Sequence, residues 1–371
     1  MMLLLRKLAL SSLTAVLLSG PAWAECSNAA LALVIGAGLI IAICSATQDI
    51  TIDALRIEQI DKDDNRGMAA GAAVAVVGWW SGYKLGGMLA LMMADYLQTA
   101  GIADYWQMTF LFLGVLVVLC NIGLMFVPET GTAERAASQR AAQYTMAGKM
   151  GGQGPVIQLF SFVVTTVLDP LLSFFRKNGM QIGIMILAFI FLFKIGEAFM
   201  GKMSIVFYKE VGFSKSDIAL YSKGLGWITT VTFTLIGGFF ALRAGVVRAL
   251  LISGIAMAGT NILFSVLAWV GPNELLFAFA VVADDLAAAF ATVAFVTFIS
   301  LLVDRNYTAT QYALLASIGT LGRTLLASSS GALVDGLDGD WGLFFILTAI
   351  MVIPSLLLLW KLRHKLHNWA K

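Results

Sequence analysis

Charge is what this sequence lacks. Only 12% of its 371 residues are Asp, Glu, Lys or Arg, against 59% hydrophobic, whereas a soluble domain carries about 25% charged residues. A soluble fold this apolar would have no surface to show water, so the composition requires a polytopic helical membrane protein. Histidine is nearly absent too. The two present, His364 and His367, lie in the C-terminal tail, which removes histidine from intramembrane chemistry. The three cysteines, Cys26, Cys44 and Cys120, are scattered and make neither a disulfide framework nor a metal set. No Gly-x-Gly-Asp motif, metal-ligand set or Ser/His pair occurs in the apolar runs, which argues against an intramembrane aspartyl protease or another enzyme. No cofactor is expected, and nothing calls for nucleic acid. The net charge of +2 is uninformative, but its placement is not.

What is there is a succession of apolar runs, each near the ~20 residues that span a bilayer. They lie at about 1–20, 31–55, 68–94, 106–127, 179–208, 217–241, 247–270, 274–303, 309–333 and 341–361, which makes about ten spans. Glycines inside them (Gly36, Gly38, Gly71, Gly86, Gly87, Gly319, Gly322) fit close helix–helix approach. The first run, with Arg6 and Lys7 near its start and Pro21-Ala22-Trp23-Ala24 at its end, also fits a secretory signal. Its basic pair follows an apolar Met1–Leu5, and Glu25 precedes Cys26, which excludes a lipoprotein site. Loop charges orient the chain. Arg56, Lys62 and Arg66, then Arg135, Arg140, Lys149, Arg176 and Lys177, then Arg243, Arg248 and Arg305, and finally the tail Lys361, Arg363, Lys365 and Lys371 fall on one side. The loops at 21–28, 96–105, 271–273 and 335–340 hold no Lys or Arg, and only Lys209 and Lys215 dissent. Both termini are therefore expected in the cytoplasm.

The expected organisation is a partial N-terminal bundle of about four helices over 1–128, a cytoplasmic linker with an interfacial helix over 129–178, and a C-terminal bundle of about six helices with its tail over 179–371. Glu129–Gly154 is polar and rich in Ala, Gly and Gln, which reads as a flexible linker. Val156–Phe175 is apolar but broken by Asp169-Pro170, and reads as interfacial rather than spanning.

The stretch Ser45-Ala46-Thr47-Gln48-Asp49-Ile50-Thr51-Ile52-Asp53-Ala54-Leu55-Arg56 ends a long apolar run. Helical spacing puts Asp49 and Asp53 one turn apart, with Arg56 beneath Asp53. Each charge costs about 2.5–3.5 kcal/mol at a bilayer centre, so such residues face an interior or an aqueous cavity. Later runs carry more. Lys194 and Glu197 sit about fifteen residues, roughly 22 Å, into theirs, while Asp284, Asp285, Arg323 and Lys84 are similarly deep. Two readings compete. These can be structural ion pairs, Lys194 with Glu197 or Asp284 and Arg323 with Asp285. Or they form a substrate and proton site at the midplane, where transporters place their sites, with carboxylates that load and release protons. Asp49 is the favoured proton-linked carboxylate. Asp53 and Arg56 lie nearer the cytoplasmic end and suit a gate, in which Glu129 pairs with Arg56 in one conformation and releases it in another. Trp79, Trp80 and Tyr83 are either packing or a platform for stacking a sugar ring.

Taken in order, these motifs resemble the AmpG-type muropeptide permeases of the major facilitator superfamily. Ser45-Ala46-Thr47-Gln48-Asp49-Ile50 with Asp53 resembles the family's fourth-helix signature, which acetyl-coenzyme A transporters share. Leu192-Phe193-Lys194-Ile195-Gly196-Glu197-Ala198-Phe199 resembles the seventh helix, Arg248-Ala249-Leu250-Leu251 the ninth, Asp284 the acidic position of the tenth, and Ala309-Thr310-Gln311-Tyr312-Ala313-Leu314-Leu315 with Gly322-Arg323 the eleventh. Asp169-Pro170-Leu171 through Phe174-Phe175 looks like the interfacial segment. The resemblance implies a fold of about twelve helices, of which the first two would lie before this chain. It implies a monomeric proton-driven symporter of the bacterial inner membrane. Its cargo would be GlcNAc-anhydroMurNAc and its peptides, bound between the bundles and imported for cell-wall recycling. The fifth-helix Gly-Tyr-Arg-x-Gly pattern has two registers here, at Gly78–Gly82 or Gly82–Gly86. Alternatives are a carrier of another anionic solute, such as acetyl-coenzyme A or a peptide, and a non-transporting sensor or scaffold.

Overall fold

The computed structural model describes residues 28–61, 63–128, 132–149, 154–213, 218 and 226–367. All regular elements among them are helices: α1 (Asn28–Gln59), α2 (Asn65–Thr99), α3 (Tyr105–Leu124), α4 (Thr132–Lys149), α5 (Pro155–Val163), α6 (Asp169–Asn178), α7 (Met180–Leu192), α8 (Ile195–Val211), α9 (Gly226–Ala244), α10 (Val246–Val270), α11 (Glu274–Leu302), α12 (Thr308–Ala327), α13 (Ser330–Gly336), α14 (Trp341–Ile350) and α15 (Ile353–His367). A π-turn at Val164–Leu168 joins α5 to α6, and a 3₁₀ turn at Arg305–Tyr307 precedes α12.

Among the described residues, eight helical stretches are long and apolar enough to cross a membrane. The run at 1–20 lies outside the described residues, as does the question of a signal peptide. The run at 68–94 is helical as expected and that at 309–333 is divided between α12 and α13 at Ser328-Ser329, but α2 and α12 fall outside the eight. Lys84 dilutes one, and Gln311, Ser317, Thr320, Arg323 and Thr324 dilute the other. Conversely Pro155–Asn178, read as interfacial, meets the length and composition of a span. Pro170 sits in the first turn of α6, directly after the π-turn, so the local change of helix type falls where the proline N–H is missing. The flexible-linker expectation is corrected over Thr132–Lys149, which is helical. Ala, Arg, Gln and Glu dominate it, and these are strong helix formers.

The chain divides into two compact units. The first comprises residues up to Gln59 and Ser81–Ala142. In it α1 and α3 present large apolar side chains outward, Leu33, Ile35 and Leu119 among them, as lipid-contacting helices do. The second comprises Ile60–Trp80 and Gln143–Lys371. Its core is aromatic: Phe207, Phe264, Phe277, Phe344 and Phe345 are fully buried, with the Phe207 and Phe345 rings edge-to-face at 4.7 Å. Lipid is as apolar as these side chains, so this core gains from close packing and ring geometry rather than from escape from water. Glycines let backbones meet. A Cβ on Gly322 of α12 would collide with the Phe191 carbonyl of α7, and one on Gly196 would meet the Thr348 carbonyl at 2.9 Å.

Helix ends follow local chemistry. Asn273 accepts a hydrogen bond from the Leu276 amide to start α11, and Asp340 does the same from Leu343 to start α14. Both are side-chain N-caps. The α9–α10 corner turns at Gly245 with φ +80°, a conformation that favours glycine.

Candidate functional site

The second unit gathers its buried charges around a break in a helix. The run expected at 179–208 is one candidate span, Met180–Val211, but not one helix: α7 stops at Leu192 and α8 starts at Ile195, with Lys194 in the N-cap position. Interrupted helices at membrane depth are tolerated where protein or water satisfies the freed backbone. Lys194 is buried, at 6% exposure. Its Nζ lies 2.7 Å from Glu197 Oε2 and donates to Thr292 Oγ1 of α11 at 2.6 Å. Thr292 in turn donates to the Ala288 carbonyl at 2.7 Å. Asp284 and Arg323 are close enough to act electrostatically on Lys194, and Glu197 and Asp285 on Asp284. One polar cluster therefore draws on α8, α11 and α12.

The two adjacent acids of α11 face different neighbours. Asp284 accepts from Thr260 of α10 at 3.0 Å. Asp285 accepts from Thr229 of α9, and from Thr230 at 3.5 Å. The pairing of Lys194 with Glu197 is present. The pairing of Arg323 with Asp285 is not: no ion pair joins them among the described residues, Asp285 is held by threonine hydroxyls, and Arg323 is exposed. Consecutive residues on a helix point about 100° apart, so α11 can hold Asp285 against α9 while Asp284 faces α10.

In the first unit, Gln48 Nε2 donates to Asn121 Oδ1 at 2.6 Å, joining α1 to α3. Asp49, on the next position, is exposed. Among the described residues no hydrogen bond or ion pair engages its carboxylate, and Asp53, one turn on, acts on it electrostatically. Arg56 Nη2 lies 3.1 Å from Asp53 Oδ1. Glu129, the other proposed gate residue, lies outside the described residues. Both registers of the fifth-helix pattern fall within the continuous α2. Trp80 packs against Ala73, Val76 and Val293, with the Trp79 ring edge-on at 4.7 Å. Trp79 and Tyr83 are 54% and 70% exposed, so the three aromatics differ in their surroundings.

Sequence reasoning missed the partners: Thr229, Thr230, Thr260, Thr292 and Asn121. Threonine is ordinary in membrane helices, where it bonds its own i−4 carbonyl. Only Asn121, an amide inside the apolar run at 106–127, carried a signal.

No family model matches the chain. In sequence it is 29% identical over 329 residues to the putative transporter AmpG 4 of Rickettsia conorii, covering 89% of this chain and 72% of that protein. It is 28% identical over 322 residues to the anhydromuropeptide permease of Escherichia coli K12, covering 86% of this chain and 58% of that one. In structure it matches the proton:xylose symporter XylE with a TM-score of 0.66 at 15% identity, covering 97% of this chain and 78% of that chain. The chain has the major facilitator fold and is AmpG-like in sequence. The human organic anion transporter MFSD10 gives a TM-score of 0.58 at 18% identity, covering 96% of this chain and 76% of that one. With eight candidate spans among the described residues and this fold, the chain is a multi-pass membrane protein. The described all-helical structure agrees with the fold class read from composition.

Proposed function

We propose that this protein is a proton-driven symporter that carries anhydro-muropeptides, GlcNAc-anhydroMurNAc and its peptides, across the bacterial inner membrane by alternating access. The observation that carries the reading is sequence similarity to an anhydromuropeptide permease over 86% of this chain. A supporting feature is a set of charges at membrane depth that a purely structural helix bundle does not require. In this reading Asp49 carries the coupled proton, and Gln48 belongs to the same proton and substrate path. Lys194, Glu197, Asp284, Asp285 and Arg323 belong to the substrate path. Asp53, Arg56 and Glu129 act at the cytoplasmic gate, and the exposed Trp79 and Tyr83 stack sugar. The protein works as a monomer with both termini in the cytoplasm, and it converts no substrate chemically.

The test is uptake into proteoliposomes. An imposed proton gradient should drive accumulation of radiolabelled GlcNAc-anhydroMurNAc. D49N should lose accumulation yet keep counterflow exchange, because exchange needs no net proton movement. Accumulation against a gradient by D49N would remove Asp49 from the coupling role. Radiolabelled acetyl-coenzyme A in the same assay distinguishes the other anionic-solute reading: its accumulation, with none of the disaccharide, would replace the muropeptide assignment.

A further inference from the structure

The two basic residues of the second unit's cluster are not equivalent. Lys194 is buried and already committed, with its ammonium on Glu197 Oε2 and Thr292 Oγ1. Arg323 has no hydrogen bond or ion pair among the described residues, and its side chain is exposed. A lipid-facing guanidinium at this depth would be costly. Its surroundings on α12 are not those of a lipid face. Ser317, Thr320 and Thr324 form an exposed polar stripe at helical spacing. Leu321 and Leu325, turned well away from Arg323, make the exposed apolar edge of the same helix. One turn either side of Arg323 stand Gly319 and Ala327, both buried, so the exposed Arg323 borders the packed face of the helix without belonging to it. The opposite face of α12, with Leu315 and Gly322, is buried against neighbouring helices.

From this division we infer that Arg323 is the anion-recognition residue, which takes a carboxylate of the transported solute in a bidentate pair, while the Lys194–Glu197 pair holds the broken helix and does not receive that group. A planar fork of donors matches a carboxylate in a way that an ammonium already sharing its protons cannot. The inference rests on the proposed function, since it assigns one residue to the acid group of that same cargo.

The experiment is calorimetric binding to the purified full chain in detergent. The probes are GlcNAc-anhydroMurNAc as the free acid and as its methyl ester, which differ by one negative charge. The wild type should bind the acid about tenfold or more tighter than the ester. R323Q should bind both alike, at the wild-type affinity for the ester. R323K, which keeps the charge but loses the fork, should retain only part of the preference, and it decides the matter should R323Q not fold. K194Q should preserve the acid-to-ester ratio even where both affinities fall. A full preference persisting in R323Q or R323K overturns this inference alone. Failure of the wild type to bind either form overturns the muropeptide reading and this inference with it.

Discussion

At the scale of single residues, the Lys194–Glu197 pair carries a stability consequence. A buried ion pair is weak evidence of net stabilisation, but removing one partner leaves an uncompensated charge, at a cost of about 3–5 kcal/mol. K194M and E197Q should each lower the melting temperature of the detergent-solubilised protein. The double replacement K194M/E197M should cost less than the sum of the two, because no charge is then stranded. Additive losses would show that the pair does not act as a unit. The identities of these residues were legible in the chain: charges in apolar runs stand out. The Lys194–Glu197 pairing, three residues apart, was legible as well, but the partners of Asp284 and Asp285 were not. Whether Asp285 meets Arg323 or Thr229 depends on which helix lies beside α11 and at what rotation, and neither is encoded within a few residues of Asp285.

At the scale of the helix, close approach is the organising constraint. Gly322 lies against the Phe191 carbonyl just before the helix break. A Cβ there overpacks the contact, which typically costs about 1–3 kcal/mol. Gly259 of α10 has open space around it, where alanine should be neutral or favourable by up to about 1 kcal/mol through helix propensity. Melting curves of G322A and G259A should therefore shift in opposite directions, or only the first should shift. Equal effects would refute the contact's importance. Gln311 works similarly between elements. Buried in α12, it donates to the Pro170 carbonyl at 2.8 Å and accepts from the Asp304 amide at 2.7 Å. Ser173 adds a bond to Asp304 at 3.2 Å. Q311A strands two backbone groups, at about 1–3 kcal/mol each where no water reaches them. Hydrogen exchange of residues 169–178 should quicken in that variant. An unchanged rate would mean that α6 is held by other contacts.

At the scale of the whole molecule, the composition alone demands a membrane, and eight helical stretches among the described residues are of the length that this demand predicts. Orientation is a further matter of loop charge. Cysteines introduced singly at Arg140 and at the Asp338 turn should label from opposite sides of the membrane in intact cells, the first only after permeabilisation. The reverse pattern would invert the assignment of the termini. Uptake should also depend on the proton motive force, worth about 2.3 kcal/mol per charge per 100 mV. An uncoupler should thus abolish accumulation without abolishing exchange.

The class of the protein, most of its span positions and the residues worth suspecting followed from the chain read by itself, because insertion into lipid is decided locally. A run of about twenty apolar residues and a stray charge within it are both properties of a short window. Three things were settled only by tertiary structure: the interruption of a helix at Phe193-Lys194, the allotment of Asp284 and Asp285 to different neighbours, and the contrast between a committed Lys194 and an unshared Arg323. Each depends on which distant helix lies alongside, as with the Thr292 hydroxyl on Lys194 or the Thr229 and Thr260 hydroxyls on the two acids. Such pairings form across tens or hundreds of residues and leave no periodic trace along the chain.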